Sequence, residues 1–510
     1  MDKSARKVSD IIAGLRAAGL LKETRPQIRE DKSDGTLSAV TYNSREAGRG
    51  TAFVCKGAHF KVQYLRDAVN AGSVCYITEQ EYGLGTDDCP EILVSDIRRA
   101  MPVIAESFYG RLSDRLHMTG ITGTKGKSTT TYFMRYILDD WMAATGGKRT
   151  AVCSGIDNYD GVIEEESHLT TPEIMELYTH MDNALKSGIE YLTMEVSSQA
   201  LRYDRVDGIT YDAGAFLNIG RDHISPIEHP DYDDYLGAKL RIFSHCRRAC
   251  YNLDCDDQER IEAASHDCPY VITFSLKDDS ANVYGYDVRS DGGRVSLRVR
   301  GSGIRDYPDF DEEFALGTFG TINAENAMAA VSLSALLGVP LEFIRSGLAK
   351  ATSPGRMEVF RSGDGKRIAI VDYAHNKLSY ERFFETIADE FPGRRIMIVF
   401  GCPGGKAFER REELGTIAGR NCVHSIITEE DYGEEDVNKI CEEIAGHVRA
   451  AGGSCEIITD RVEAIKKAIS LMDDDTILFL PGKGRETREK RGIEYIDTPS
   501  DADVVIEYMK

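Results

Sequence analysis

Residues 120–129 read Gly-Ile-Thr-Gly-Thr-Lys-Gly-Lys-Ser-Thr, with glycines at 120, 123 and 126 ahead of a lysine and two hydroxyls. Glycines let backbone N–H groups close on phosphate oxygens. Lys127 can reach β- and γ-phosphates, and the Ser128 hydroxyl can take a place on Mg²⁺. A stricter form of such a loop would put glycine at 121, where Ile121 stands. The elements that must hold the loop occur in order: strand-like RLHMTGIT before it and the helical pattern TTYFMRYILDDW after it. That helix directs its positive N-terminal end at the loop. We therefore read Gly123, Thr124, Lys125, Gly126, Lys127, Ser128 and Thr129 as a triphosphate cradle, against the alternative of a chance glycine turn.

Other residues suggest chemistry less directly. Glu195 closes the strand-like run YLTME, where a carboxylate can bind Mg²⁺ shared with ATP; alone it would be a solvated loop residue. Asn323 and Asn326 lie three apart, on one helical face, where their amides can meet adenine or cap the helix. Lys239, in GAKLRIF, sits in an amphipathic helical pattern and reads on its own as a surface charge. Cys246, Cys250 and Cys255, with His245, match metal-ligand spacing only loosely, and we expect semi-buried thiols at a helix-to-strand passage. The twelve cysteines contain no CxxC pair, which fits reduced thiols.

The chain has 510 residues, too many for one hydrophobic core. A net charge of −22 argues against a nucleic-acid partner, which needs a basic footprint. No apolar run approaches the ~20 residues of a membrane helix, and MDKSARKVSDIIAGL lacks a signal-peptide pattern. A cytoplasmic location without a membrane partner is expected. The texture divides the chain into residues 1–113, a small α/β module; 114–354, which carries the phosphate loop; and 355–510. Pro354-Gly355 marks the second boundary. In the last segment IAIV, IMIVF, SIIT and TILFL each end in a polar or glycine loop, the pattern of a parallel sheet with ligand loops at its strand ends. The expected fold is α/β in three domains: a smaller N-terminal module, a central P-loop ATPase domain with a parallel sheet, and a C-terminal Rossmann-like domain.

TGTKGKST resembles the phosphate loop of the Mur ligase family. The resemblance continues in order through YNSR, LTTPE, MEVSSQAL, FLNIGRDH, YLGAKLRIF, TINAEN, SPGRMEV, VDYAH and PGKGRE, over roughly residues 40–490. Order and spacing are similar to the branch that adds the third residue of the peptidoglycan stem peptide. The resemblance implies that UDP-MurNAc-L-Ala-D-Glu is phosphorylated by ATP to an acyl phosphate, which an amino-acid amine then attacks. Two anions must meet, so cations are needed, from Mg²⁺ (two ions) and lysine.

The same resemblance assigns residues. His223, framed by Asn218 and Asp222, becomes a ligand of the second metal beside Ser128 and Glu195. Lys239 becomes a carbamylated lysine, able to ligate a hard cation as an ammonium cannot. Arg356, Asp372 and His375 are assigned to the nucleotide from the third domain, so domain closure is expected in turnover. Ser44 and Arg45 resemble a UDP-contacting pair, with Asn43 where aspartate is usual. Thr170, Thr171, Ser197 and Arg205 resemble residues around the MurNAc-peptide, and Gln199 stands where relatives have histidine.

For the acceptor, relatives using meso-diaminopimelate carry Asp-Asn-Pro-Arg where this chain has Glu430-Asp431-Tyr432-Gly433. The arginine that would grip a distal carboxylate is missing, and six acids crowd 429–436. This favours a side-chain ammonium: L-lysine first, then ornithine, with diaminopimelate behind. The bland alternative is that the acids coat an exposed loop. Lys406, Gly482 and Glu486 would hold the acceptor's backbone groups. The rivals are a folylpolyglutamate synthetase-like ligase and an inactive Mur-like binding protein. The second predicts loss of Lys127, Glu195, His223 or Lys239, and all four are present.

Overall fold

The computed structural model describes residues 6–26, 35–57, 60–222, 224–225, 228–291 and 294–509. They form two compact units, one of residues 1–127 with 141–272, the other of 128–140 with 273–510.

The first unit opens with α1 (Val8–Ala17), β1 (Leu21–Arg25), β2 (Ala39–Thr41), β3 (Thr51–Val54), α2 (Val62–Asn70), β4 (Cys75–Thr78), β5 (Glu91–Val94) and α3 (Ile97–Tyr109). The strands make a five-stranded sheet, β1-β5-β4-β3-β2, antiparallel only at β1/β5. Strands β3, β4 and β5 are buried along their whole length, as parallel strands covered on both faces must be. Next come β6 (His117–Thr122), α4 (Lys127–Thr145), β7 (Ala151–Cys153), β8 (Asp157–Tyr159), β9 (Glu164–Glu166), α5 (Ile174–Ser187), β10 (Tyr191–Glu195), α6 (Ser198–Arg202), β11 (Ala213–Phe216), α7 (Tyr232–Leu240), β12 (Ala249–Asn252), α8 (Gln258–Ser265) and β13 (Val271–Ser275), of which residues 128–140 of α4 and 273–275 of β13 are counted with the second unit. Here β6 lies between β10 and β11, both parallel to it, so the loops leaving all three emerge at one edge. That edge holds the phosphate loop and Glu195. One apolar cluster, with Ile11, Leu15, Met118, Leu192 and Phe216, runs through this unit.

In the second unit β14 (Val283–Asp291), β15 (Arg294–Gly301) and β16 (Phe310–Ala315) pair antiparallel. Only α/β alternation was expected there. The buried–exposed alternation of Arg294–Gly301 explains the difference, since one face packs and the other meets water. Helices α9 (Asn323–Leu336) and α10 (Leu341–Lys350) follow, so α9 ends before Pro354, at the turn around Gly338. The chain continues through β17 (Glu358–Arg361), β18 (Ile368–Val371), α11 (Lys377–Glu390), β19 (Arg395–Phe400), α12 (Glu409–Asn421), β20 (His424–Ile427), α13 (Val437–Ala450), β21 (Cys455–Ile457), α14 (Arg461–Leu471), β22 (Thr476–Leu480), β23 (Arg488–Arg491), β24 (Glu494–Asp497) and α15 (Asp501–Tyr508). The six-stranded sheet runs β17-β18-β22-β19-β20-β21 and is parallel except at the β17 edge. The four apolar runs singled out in this segment are β18, β19, β20 and β22. Among the described residues no helix is long and apolar enough to cross a membrane.

Candidate active site

In the first unit the phosphate loop turns from β6 into α4 through Gly126, whose φ of 86° is left-handed backbone that glycine adopts freely. The loop is tied to the segment after β11. Thr124 N–H donates to Asn218 O (3.1 Å), Lys125 N–H to Asn218 Oδ1 (2.9 Å), and Asn218 Nδ2 returns a bond to Lys125 O (3.1 Å). Lys125 pairs with Asp222 at 3.2 Å. Asn218 and Asp222, expected to frame a metal ligand, here hold the phosphate loop. His223 lies outside the described residues.

Two lysines converge on one oxygen. Lys127 Nζ donates to Gly123 O at 3.0 Å and to Thr124 O at 3.3 Å, while Lys239 Nζ donates to Gly123 O at 2.8 Å. Lys239 is 2% exposed, so its reading as a surface charge is wrong: α7 turns this residue inward, 4.9 Å over the Tyr235 ring. Burial, with Lys127 and Lys125 adding to it against Asp222, drives its amine well below the usual lysine pKa. Glu195 is also buried, at the end of β10, and accepts Gly155 N–H at 2.7 Å. A buried carboxylate and a buried amine of lowered basicity are fitting groups for a metal and for carbamylation. An uncharged amine attacks CO₂, and the product offers hard oxygen donors. Among the described residues no three His, Cys, Asp or Glu side chains gather as a metal cluster, Cys246, Cys250 and Cys255 included.

Around β10 three of the predicted peptide-binding residues, Thr171, Ser197 and Arg205, form one network. Thr171 Oγ1 donates to Glu195 O (2.9 Å) and accepts Ser197 N–H (2.9 Å), and Ser197 Oγ caps α6. Arg205 pairs with Glu173 (2.9 Å) and reaches Thr171 O (3.4 Å). Thr170 Oγ1 lies near Gly155. Gln199 donates to Glu228 (3.1 Å). In the turn after β2, Asn43 Oδ1 accepts Arg45 N–H (3.2 Å), leaving Ser44 half-buried and Arg45 exposed.

In the second unit Ser128 and Thr129 are buried. Asn323 is the first residue of α9 rather than its cap; its amide donates back to Phe319 O (2.7 Å) and accepts from Asn326 (3.0 Å). Asp372 accepts Met357 N–H and Ala374 N–H, each at 2.7 Å. His375 Nδ1 bonds Tyr373 O (2.8 Å), and the Arg356 guanidinium lies 4.3 Å over the Tyr373 ring.

The acidic stretch 429–436 is not a coat on an exposed loop. Glu429 is clasped by Arg491 (2.7 and 3.0 Å), Glu435 by Arg411 (2.7 and 2.9 Å), and Asp436 caps α13. Asp431 meets Lys483 at 3.2 Å. Glu430 is buried beside Gly482, where a Cβ would run into its carboxylate. Burial pushes its pKa up to about 8 against the pull of Arg461 and Lys483. Glu486 pairs with Lys483 (2.9 Å), and Lys406 is exposed. Lys483 was missed although it lies inside PGKGRE. It is 4% exposed, and although burial opposes its charge, Glu486, Glu489 and Asp431 raise its pKa.

Residues 121–334 match the Mur ligase middle domain, and residues 355–484 the Mur ligase glutamate ligase domain. A UDP-N-acetylmuramyl-tripeptide synthetase of Lactobacillus delbrueckii subsp. bulgaricus is 34% identical over 96% of this chain and 95% of its own. The chain belongs to the Mur ligase family. A UDP-N-acetylmuramoyl-L-alanyl-D-glutamate–L-lysine ligase of Enterococcus faecalis is 35% identical over 92% of this Mur ligase and 91% of its own chain. Among solved structures, a UDP-N-acetylmuramoyl-L-alanyl-D-glutamate–2,6-diaminopimelate ligase superposes with TM-score 0.64 at 22% identity, over 95% of this chain and 97% of that one. The ADP complex of Mycobacterium tuberculosis folylpolyglutamate synthase gives 0.59 at 18%, over 75% and 91%. These two likenesses show the shared α/β Mur ligase fold. As a Mur ligase, this chain is an ATP-dependent amide ligase.

Proposed function

We propose that this Mur ligase joins L-lysine to UDP-MurNAc-L-Ala-D-Glu in the making of a peptidoglycan precursor. The cradle Gly123–Thr129 holds the triphosphate, with Lys127 on its outer phosphates. Asn323, Asn326, Arg356, Asp372 and His375 serve the nucleotide. Ser44 and Arg45 hold the UDP end, and Thr170, Thr171, Ser197 and Arg205 the peptide. The D-glutamate carboxylate attacks the γ-phosphate, ADP leaves, and the lysine amine displaces phosphate from the acyl phosphate. Ser128, Glu195, His223 and carbamylated Lys239 would hold Mg²⁺, which supplies charge neutralisation when bound. The division at residues 113 and 354 is retained; the five-stranded sheet falling within 1–113 and the six-stranded sheet within 355–510 support it.

The observation that carries the choice of acceptor is Glu430. It is a buried carboxyl facing Gly482, in a stretch whose other acids are mostly paired within the fold and which has no arginine of its own. A buried carboxyl there can give up its proton and pair with an incoming ammonium, whereas it offers a distal carboxylate no cation. Relatives named L-lysine ligases support the same reading. Lysine, ornithine and meso-diaminopimelate compared by phosphate release, each with and without the UDP-linked dipeptide, test it. Turnover dependent on both substrates and highest with lysine is expected. Higher turnover with diaminopimelate overturns the choice, and release independent of the dipeptide overturns the reaction.

A further inference from the structure

A small cavity of about 160 Å³ in the first unit is lined by Lys56, Arg98, Glu173, Tyr203, Asp204 and Arg205, among others. It is smaller than the ~300–1,000 Å³ of a site for a whole ligand, so it suits one group of a larger molecule. Its charges are uneven. Among the lining residues three cations face two carboxylates, and Asp204 is also bound by Arg241 at 2.8 Å, so Glu173 is the lining carboxylate left to Lys56, Arg98 and Arg205, with Glu46 and Glu176 farther out around Tyr42. In a chain of net charge −22 this is a local cationic spot.

Glu173 is held between two of those cations. One carboxylate oxygen takes Arg205 Nε at 2.9 Å and the other takes Lys56 Nζ. Their side chains are only 21% (Lys56), 19% (Glu173) and 15% (Arg205) exposed, so solvent screens the pairs weakly. Lys56 Nζ also sits 4.7 Å over the Tyr42 ring, whose hydroxyl donates to Glu176 at 2.8 Å. Tyr42 immediately precedes Asn43-Ser44-Arg45. Lys56, which follows β3, and Arg205, which follows α6, thus meet between the turn assigned to UDP and the network assigned to the peptide.

Two neighbouring, mostly buried cations require an anion. In the protein Glu173 supplies it, and a ligand bearing its own anion would take over the two cations and leave Glu173 only its place as the cap of α5. We propose that Lys56 and Arg205 form a two-cation clamp for one anionic group of the sugar-linked substrate, a phosphate or a carboxylate, and that Glu173 is the internal counter-ion this group displaces. The inference rests on the substrate named under the proposed function and adds Lys56 and Glu173 to its recognition.

The test is titration calorimetry of the full chain with UDP-MurNAc-L-Ala-D-Glu, UDP-MurNAc-L-Ala and UDP. Losing a charge-assisted bond should raise the Kd of the dipeptide substrate about tenfold or more in Lys56→Met, with Lys56→Arg restoring most of the loss. Glu173→Gln, which removes the competing charge, should lower it by a factor of about three or more. Weakening of all three ligands by Lys56→Met assigns the clamp to the diphosphate; weakening of the D-glutamate-bearing ligand alone assigns it to a carboxylate. Unchanged Kd values in a folded Lys56→Met protein, or weaker binding in Glu173→Gln, overturn the clamp. Failure of the wild type to bind the dipeptide substrate overturns the proposed function instead.

Discussion

Replacing Lys239 by methionine should separate stability from activity. The substitution removes one hydrogen bond, Lys239 Nζ to Gly123 O, worth about 0.5–1.5 kcal/mol. The carbonyl is not orphaned, because Lys127 Nζ remains 3.0 Å away. Methionine has a similar volume, and the chain no longer has to bury an amine whose charged form its surroundings penalise. The net change in unfolding free energy should therefore stay within about 1.5 kcal/mol of zero. Activity should behave otherwise. If the residue acts as a carbamate ligand, losing it removes several kcal/mol of charge stabilisation, a drop of about 10²–10³ in kcat. Urea denaturation measures the first quantity and substrate-dependent phosphate release the second, while mass spectrometry of the wild type in bicarbonate looks for one added CO₂. Undiminished turnover in Lys239→Met would refute the reasoning. Destabilisation above ~3 kcal/mol would make the lysine a structural prop.

Three further outcomes are expected. Gly482→Ala should raise the lysine KM about tenfold or more while changing kcat less, since φ is 105° and the new methyl must displace Glu430; an unchanged KM removes Glu430 from the acceptor site. Asp501→Ala leaves the buried Arg461 without the two 2.7 Å bonds it now makes to that carboxylate, and should lower stability by about 3–5 kcal/mol in urea melts. A loss below ~1 kcal/mol would show the pair contributes little. Glu430 has its pKa raised from 4.5 to about 8, so between those values the folded chain holds a proton that the unfolded chain has released. Its contribution is full below pH 4.5 and is lost as pH rises toward 8. Stability measured at pH 5 and pH 8 should fall in the wild type relative to Glu430→Gln, and parallel curves would contradict the assignment.

The phosphate loop was legible because strand, glycines, lysine and helix are consecutive, so local geometry and sequence order coincide. The place of Glu195 at a strand end was legible for the same reason, but its burial was not, since alone it reads as a solvated loop residue. The burial of Lys239 was not, since an isolated helix has no inside until β6 and its loop pack against it, and only the resemblance pointed to this residue. The acids after β20 misled differently. Their count suggested a free negative field, but Arg411, Lys483 and Arg491 pair with three of the six from 24 to 62 residues away. Lys56 and Glu173 are separated by 117 residues and carry no motif of their own, although Glu173 stands inside LTTPE. Among the described residues the antiparallel strands β14–β16 were legible in principle from strict alternation, which was read as part of an α/β pattern.

The single carbonyl that receives both Lys127 and Lys239 has a bearing on selectivity toward small inorganic anions. Sulfate or free phosphate at this loop would compete with the Gly123 and Thr124 carbonyls for the two amines while offering few contacts in return. A triphosphate brings many oxygens at once and can afford the exchange. Ordinary buffer ions should therefore compete poorly for the cradle, which leaves it open to the nucleotide in a crowded, phosphate-rich solution.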